Sequence, residues 1–169
     1  IVPWNFPFLM AAWKLAPVLA AGDVTILKPS SSTSLSVLEL MKLIQGVVPK
    51  GVINLVTGKG SKSGEFLQHH TGLDKLAFTG STEVGREIGL SAAQMIIPST
   101  LELGGKSANV FFKDADMKMA LEGIQLGILF NQGQVCSAGS RIFVEESFYD
   151  EFMAHVIPAF QKLKVGNPL

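Results

Sequence analysis

The residue best suited to covalent chemistry in this chain is Cys136, its only cysteine. A lone cysteine is most often a small buried hydrophobe. Cys136, however, stands among small and amide residues, in FNQGQVCSAGSR at positions 130–141, between a predicted helix and a predicted strand. Gly133 and Gly139 would let the backbone approach a bound group, and the N–H groups of such a loop can stabilise a thiolate. Cys136 is therefore our candidate nucleophile.

The second candidate is a carboxylate, Glu102, in the sequence LELGGKS at positions 101–107. The flanking leucines predict partial burial, and a partly buried carboxylate can act as a general base near neutral pH. The alternative is an exposed glutamate at a strand end that takes no part in chemistry.

A third stretch, FTGSTEVG at positions 78–85, follows a predicted strand and opens a predicted helix. Gly-rich turns at helix N-termini bind phosphate groups, because the first amides are unpaired and the helix dipole favours negative charge. The stretch does not match the G-x-G-x-x-G dinucleotide fingerprint. Ordinary turn formation is an equally good explanation of these glycines.

Asn5 precedes a Phe-Pro helix start in PWNFP at positions 3–7. Its side chain is either a helix cap or a donor to a developing oxyanion.

Lys28 ends a predicted buried strand in LKPS at positions 27–30. Open α/β sheets bind ligands at that end of their strands. The alternative is a lysine that is simply solvated.

The elements that must position these residues alternate between strands and helices, which predicts βαβ units and a parallel sheet. Predicted strands are 24–28, 52–57, 75–79, 109–112 and 141–145. Predicted helices are 7–20, 34–45, 63–70, 82–93, 117–130 and 147–163, the last beginning at Ser147 with Asp150 and Glu151 in its first turn.

Composition narrows the possible partners. The 14 basic and 14 acidic residues cancel, and no Lys/Arg block is present, so we expect neither nucleic acid nor a membrane surface as a partner.

The three histidines show no metal-ligand spacing, and we expect no metal site. The longest apolar run, 6–13, is too short to span a bilayer. A single cysteine permits no internal disulfide and fits a reducing compartment, so we expect a cytoplasmic protein.

Together, the five quoted motifs resemble the aldehyde dehydrogenase superfamily in type, order and spacing over the whole chain. The resemblance implies that Cys136 is the catalytic nucleophile and Glu102 the general base. It also implies that Asn5 and the backbone N–H of Cys136 form the oxyanion hole. The implied cofactor-binding residues are Trp4, Lys28, Ser31, Gly80, Ser81, Gly85 and Leu103. The near wall of the substrate tunnel is implied to contain Phe6, Met10 and Trp13.

Ser31 departs from the pattern of family members that prefer NAD, which carry a glutamate three residues after the lysine. A carboxylate would repel the 2′-phosphate of NADP, whereas a serine leaves room and can donate a hydrogen bond. We therefore expect NADP to be accepted as the cofactor, and the serine leaves a preference for NADP over NAD open.

The resemblance also implies the domain organisation. Residues 1–103 would be the later half of an NAD(P)-binding domain, and residues 104–169 the start of an α/β catalytic domain, with the active site in the cleft between them. Family members are much longer, so we do not expect these 169 residues alone to be a competent enzyme. The full-length protein is expected to form a homo-oligomer.

Two other functions fit the same residues less well. A purely structural or binding module would need neither Cys136 nor Glu102. An acylating dehydrogenase, which passes the acyl group to coenzyme A, commonly lacks the glutamate.

Overall fold

A computed structural model describes residues 1–167 of the chain. It divides into two compact units, Ile1–Leu103 and Gly104–Leu169. The assignment of residues 1–103 and 104–169 to an NAD(P)-binding and a catalytic domain stays a prediction.

The elements of unit 1 alternate as the sequence predicts. In chain order they are α1 (Pro7–Ala21), β1 (Thr25–Leu27), α2 (Leu35–Leu43), β2 (Ile53–Leu55), a π-helical turn (Gly60–Gly64), α3 (Glu65–Gln68), β3 (Leu76–Gly80), α4 (Thr82–Met95) and β4 (Ser99–Leu103).

The strands of unit 1 form two parallel pairs, β1 with β2 and β3 with β4. Residues Ile1 and Val2 lie between the pairs. The Val2 N–H donates to the Lys28 carbonyl at 3.0 Å, and the Thr79 N–H donates to the Ile1 carbonyl at 3.2 Å. The chain that continues past Val2 therefore emerges near the carboxyl ends of β1 and β3.

Helix α1 begins and ends at residues that suit helix termini, and its inner face packs into the core of unit 1. Pro7 stands in its first turn, where its missing N–H costs nothing, and Gly22 ends it in the left-handed conformation at φ 79°. Ala11 and Leu15 face inward against Val2 and Leu27. A second cluster packs α4 on β3 through Leu76, Phe78, Ile88 and Ala92.

Unit 2 is a βαβ unit followed by a helix. Its elements are β5 (Ala108–Phe111), α5 (Met117–Leu129), a 3₁₀ turn (Phe130–Gly133), β6 (Arg141–Val144), a second 3₁₀ turn (Glu146–Phe148) and α6 (Tyr149–Gln161). Strand β5 pairs in parallel with β6. Helices α5 and α6 bury Ile124 and Phe152 completely, and the Phe152 ring lies 4.9 Å from that of Phe111.

The α/β class and the parallel strand pairing are confirmed, and each strand pair is joined by one helix: α2, α4 or α5. Strand β4 is missing from the predicted strands. The helix predicted at 63–70 is replaced by a π-helical turn and the short α3.

The predicted helix start at Ser147 is wrong, because its hydroxyl donates to Glu145 Oε1 at 2.6 Å and α6 begins at Tyr149. Within residues 1–167, no helix combines the length and apolarity that crossing a lipid bilayer requires.

Candidate active site

Most of the unit 1 residues that the motifs single out lie at one edge of its parallel strands. Lys28 directly follows β1, Gly80 ends β3, and Glu102 and Leu103 end β4. Trp4 and Asn5 come two and three residues after Val2, which is bonded to Lys28. Parallel strands present their carboxyl ends at the same edge, which is the usual ligand-binding edge of open α/β sheets.

Lys28 is buried, so its interpretation as a solvated strand-end lysine is wrong. The residue is 3% exposed, and its ammonium donates to the Pro29 carbonyl at 3.1 Å. Desolvation by burial lowers the pKa of Lys28 below its ordinary value. A Cβ at Gly64 would lie 3.6 Å from Lys28 Cε, so the lysine stem passes along the π-helical turn.

The turn between β3 and α4 is a well-formed helix start. Ser81 is the N-cap of α4, and its hydroxyl accepts a hydrogen bond from the Val84 N–H at 3.3 Å. Both motif glycines have a packing reason of their own. A Cβ at Gly85 would overlap the Leu103 side chain, and one at Gly80 would meet the Phe78 ring.

Thr79 adds a polar group at the same strand end that the sequence argument missed. The residue is 7% exposed, and its hydroxyl has no hydrogen-bond partner among the described residues. A buried hydroxyl without a partner is costly, and a bound ligand can satisfy it. Its place inside a strand-end motif was the only available signal.

Glu102 is exposed, which corrects the expected partial burial. It occupies β4 opposite Thr79, and β4 pairs only with β3 among the described strands. Its role as base stays a prediction.

A second missed residue, Lys14, lies close enough to interact with Glu102. Desolvation lowers the pKa of Lys14, the Glu102 carboxylate partly offsets that effect, and Lys75 adds to it. The available signal was that Lys14 is the only charged residue of α1.

The residues that begin α1 are only partly buried. Phe6, not Asn5, occupies the N-cap position of α1, and the Phe6 side chain makes no capping hydrogen bond, so the prediction of Asn5 as the N-cap residue is wrong. Trp4 and Trp13 are 51% and 64% exposed. Met10, predicted as tunnel wall, packs against the core cluster of α1 and β1.

Ser31 is exposed, in a Ser-rich turn after Lys28 where the Ser30 and Ser32 hydroxyls lie 3.3 Å apart.

Two adjoining open cavities of about 560 and 470 Å³ flank the π-helical turn and α3. Both are lined by Lys62, Phe66 and His70.

Cys136 lies in unit 2 and is exposed, so its interpretation as a buried hydrophobe is wrong. Cys136 and Ser137 are the central residues of a turn closed by the Ala138 N–H, which donates to the Val135 carbonyl at 3.1 Å. A Cβ at Gly105 would lie 3.3 Å from the Cys136 carbonyl oxygen, so Gly105 passes close to the backbone of the turn that contains Cys136.

The backbone before this turn is strained. Asn131 and Gln132 have φ of 49° and 55°, and Gly133 follows at 75°. The left-handed region disfavours side chains with a Cβ, and such residues cluster at functional sites.

Among residues 1–167, no group of three His, Cys, Asp or Glu side chains could hold a metal ion. The structure thus gathers most of the predicted unit 1 residues at one strand edge. Cys136 belongs to unit 2, and its partnership with Glu102 and Asn5 stays a prediction.

Comparison with known proteins decides the family. The profile of the aldehyde dehydrogenase family matches residues 1–169, the full chain. The chain belongs to the aldehyde dehydrogenase family. It is 51% identical to an aldehyde dehydrogenase of Vibrio cholerae serotype O1, with 100% of this chain and 34% of the relative aligned.

Solved structures of aldehyde dehydrogenases share the fold. An NAD⁺ complex of the Bacillus cereus aldehyde dehydrogenase superposes with a TM-score of 0.92 at 44% identity, covering 97% of this chain and 34% of that one. A Staphylococcus aureus betaine aldehyde dehydrogenase with NAD⁺ gives a TM-score of 0.93 at 44% identity, covering 98% and 33%. The chain therefore spans about a third of the length of these aldehyde dehydrogenases.

Proposed function

We propose that the protein to which this chain belongs oxidises an aldehyde to a carboxylic acid with NAD or NADP as the oxidant. The observation that carries the proposal is the exposed Cys136 thiol, central in a backbone turn of a chain that belongs to the aldehyde dehydrogenase family. A nucleophile needs both exposure and positioning.

The strand edge of unit 1 has features that fit a dinucleotide. The N-terminus of α4 at Ser81 suits a pyrophosphate, and buried Lys28 suits a ribose hydroxyl as hydrogen-bond donor. The partnerless Thr79 hydroxyl can bond a polar group of the ligand. When bound, NAD(P)⁺ supplies the hydride acceptor.

Cys136 begins the reaction as a thiolate. Its sulfur forms a bond with the aldehyde carbon, and the carbonyl oxygen takes up the negative charge. The Asn5 side-chain amide and the Cys136 N–H hold that oxyanion. Loss of hydride from the same carbon leaves a thioester on Cys136.

Glu102 completes the turnover. Its carboxylate takes a proton from water, the resulting hydroxide attacks the thioester carbon, and the carbon–sulfur bond breaks to release the acid and the thiolate. Since Glu102 is exposed, water can reach it. Lys14 lies near enough for its electrostatic interaction with Glu102 to raise the pKa of the lysine.

Ser31 supports acceptance of NADP as well as NAD. Its exposed hydroxyl follows buried Lys28 by three residues and places no carboxylate near the adenosine ribose. Phe6, Met10 and Trp13 remain our proposal for the near wall of the aldehyde tunnel.

The experiment replaces Cys136 in the full-length protein. Cys136→Ala should abolish aldehyde-dependent formation of NAD(P)H, while Ser137→Ala in the same turn should keep most of it. Activity retained by Cys136→Ala would mean that another group is the nucleophile. Product analysis with and without coenzyme A separates acid formation from acyl transfer to the thiol.

A further inference from the structure

We infer that Asn109 is a positioning residue for the Cys136 turn, acting through the carbonyl of Gly139. The inference rests on the proposed function, since it assumes that Cys136 is the nucleophile. The Asn109 side-chain amide donates to the Gly139 carbonyl at 3.2 Å, across 30 positions of sequence.

The position of Asn109 in its strand is unusual for a polar residue. Along β5, Asn109 and Phe111 are half-buried, whereas Ala108 and Val110 are exposed. Phe111 packs into the core of unit 2 against Phe152. Side chains two apart on a strand share a face, so Asn109 lies on the face that packs against the core. A polar group there is costly unless it is hydrogen-bonded.

Two glycines make room for this side chain. A Cβ at Gly139 would overlap the Asn109 side-chain amide, and it would lie 2.8 Å from the Oδ1 atom of that amide. A Cβ at Gly127 of α5 would lie 3.8 Å from Asn109 Nδ2. The amide is therefore wedged between the last turns of α5 and the loop that follows Cys136.

Gly139 is held from both sides. Its carbonyl accepts from Asn109, and its N–H donates to the Gly127 carbonyl at 3.0 Å. The turn that contains Cys136 closes at Ala138, the residue before Gly139, and Ala138 is buried. A shift of Gly139 would therefore also shift the Cys136 N–H, which in the proposed mechanism donates a hydrogen bond to the oxyanion.

The test compares variants of the full-length enzyme. Asn109→Asp keeps the shape and removes the donor, and we expect kcat to fall about tenfold, the effect of one lost hydrogen bond at a positioned group. The KM for the cofactor should change less than twofold. Alkylation of Cys136 by iodoacetamide, measured on folded protein, should slow by a similar factor.

A double-variant cycle tests the contact itself. Gly139→Ala should lower kcat more than Asn109→Asp, because its methyl group needs the space of the amide. Asn109→Ala combined with Gly139→Ala should be more active than Gly139→Ala alone, since the first change opens that space.

Asn54→Ala is the matched control. Asn54 also donates from its side-chain amide to backbone carbonyls, at 2.7 Å to Gly51 and 3.4 Å to Thr25, but it lies in unit 1. It should leave kcat and the alkylation rate unchanged even if it lowers the melting temperature.

Wild-type kcat and alkylation in Asn109→Asp would overturn the inference, as would strictly multiplicative effects in the double variant. If Asn109→Asp lowers only the melting temperature, the residue is structural and the inference is again wrong. Neither outcome touches the proposed function, which fails separately if Cys136→Ala stays active.

Discussion

The strand edge of unit 1 and the Cys136 turn of unit 2 carry the two halves of the proposed chemistry, and different interactions fix them. At the strand edge, residues lie where regular elements end: Lys28 after β1, Gly80 at the end of β3, Ser81 as the cap of α4. The Cys136 turn instead follows two left-handed residues and depends on a side chain from β5.

This difference predicts which kinetic property a substitution in each region changes. Changes at the strand edge should act mainly on cofactor affinity or selectivity, because the regular elements hold their backbone in place regardless of one side chain. Changes around the Cys136 turn should act on kcat, because its geometry depends on single contacts.

Asn5 is the residue most able to break this division, because it belongs to unit 1 but is assigned a part in the chemical step. Asn5→Ala should lower kcat on the order of a hundredfold, the usual cost of one oxyanion donor, with little change in the cofactor KM. Steady-state kinetics of the full-length enzyme, with Asn54→Ala as control, measure both. A raised cofactor KM at unchanged kcat would move Asn5 to a binding role.

Ser31→Glu tests the strand edge of unit 1, where a substitution should change cofactor selectivity. The exposed position tolerates a larger side chain, and a carboxylate there repels a 2′-phosphate. At about 4 Å in a surface environment this repulsion amounts to about 1–4 kcal/mol, so kcat/KM for NADP should fall by about fivefold or more relative to NAD. The iodoacetamide reactivity of Cys136 without cofactor is the control and should not change. An unaltered cofactor ratio would exclude Ser31 from recognition.

The smallest expected effect concerns buried Lys28. Because burial lowers its pKa, the folded state binds fewer protons than the unfolded state between that lowered pKa and the ordinary value of 10.5. Stability should therefore rise with pH through this window as the charged form is lost. Lys28→Met should remove this contribution, so the melting-temperature difference between variant and wild type should shrink as pH rises from 8 to 10.

Lys42→Met supplies the control for that measurement. Lys42 is an exposed lysine paired with Glu39 at 2.9 Å. Lys42→Met removes one positive charge from the protein surface, so its effect on the melting temperature at each pH is the reference against which Lys28→Met is compared. A pH-independent difference for Lys28→Met would contradict the burial argument.

The sequence predicts the strand edge better than the turn, for a physical reason. The alternation of strands and helices predicted the ends of β1 and β3 to within one residue, and strand ends place Lys28 and Gly80 without further information. The sequence left the burial of Glu102 open between partial burial and an exposed strand end, because flanking leucines do not show how many strands cover a position.

The Cys136 turn depends on contacts that are distant in sequence. Asn109 reaches Gly139 across 30 positions, and nothing local to either residue indicates the pairing. Gly133 and, less strongly, Asn131 are residue types that favour a positive φ, but nothing in the local sequence indicates one at Gln132. The small and amide residues around Cys136 made it a candidate nucleophile, and the resemblance of that motif to a known family then implied its role.

The most direct test of the account is to trap the acyl group on Cys136. Full-length Glu102→Gln, mixed with aldehyde and NAD(P)⁺ and quenched in acid, should form about one NAD(P)H per active subunit and then stall. Mass spectrometry of the digested protein should find the acyl mass on the peptide that contains Cys136. An NAD(P)H burst with that peptide unmodified, or with the acyl group on another residue, would contradict the assignment of Cys136 as the nucleophile.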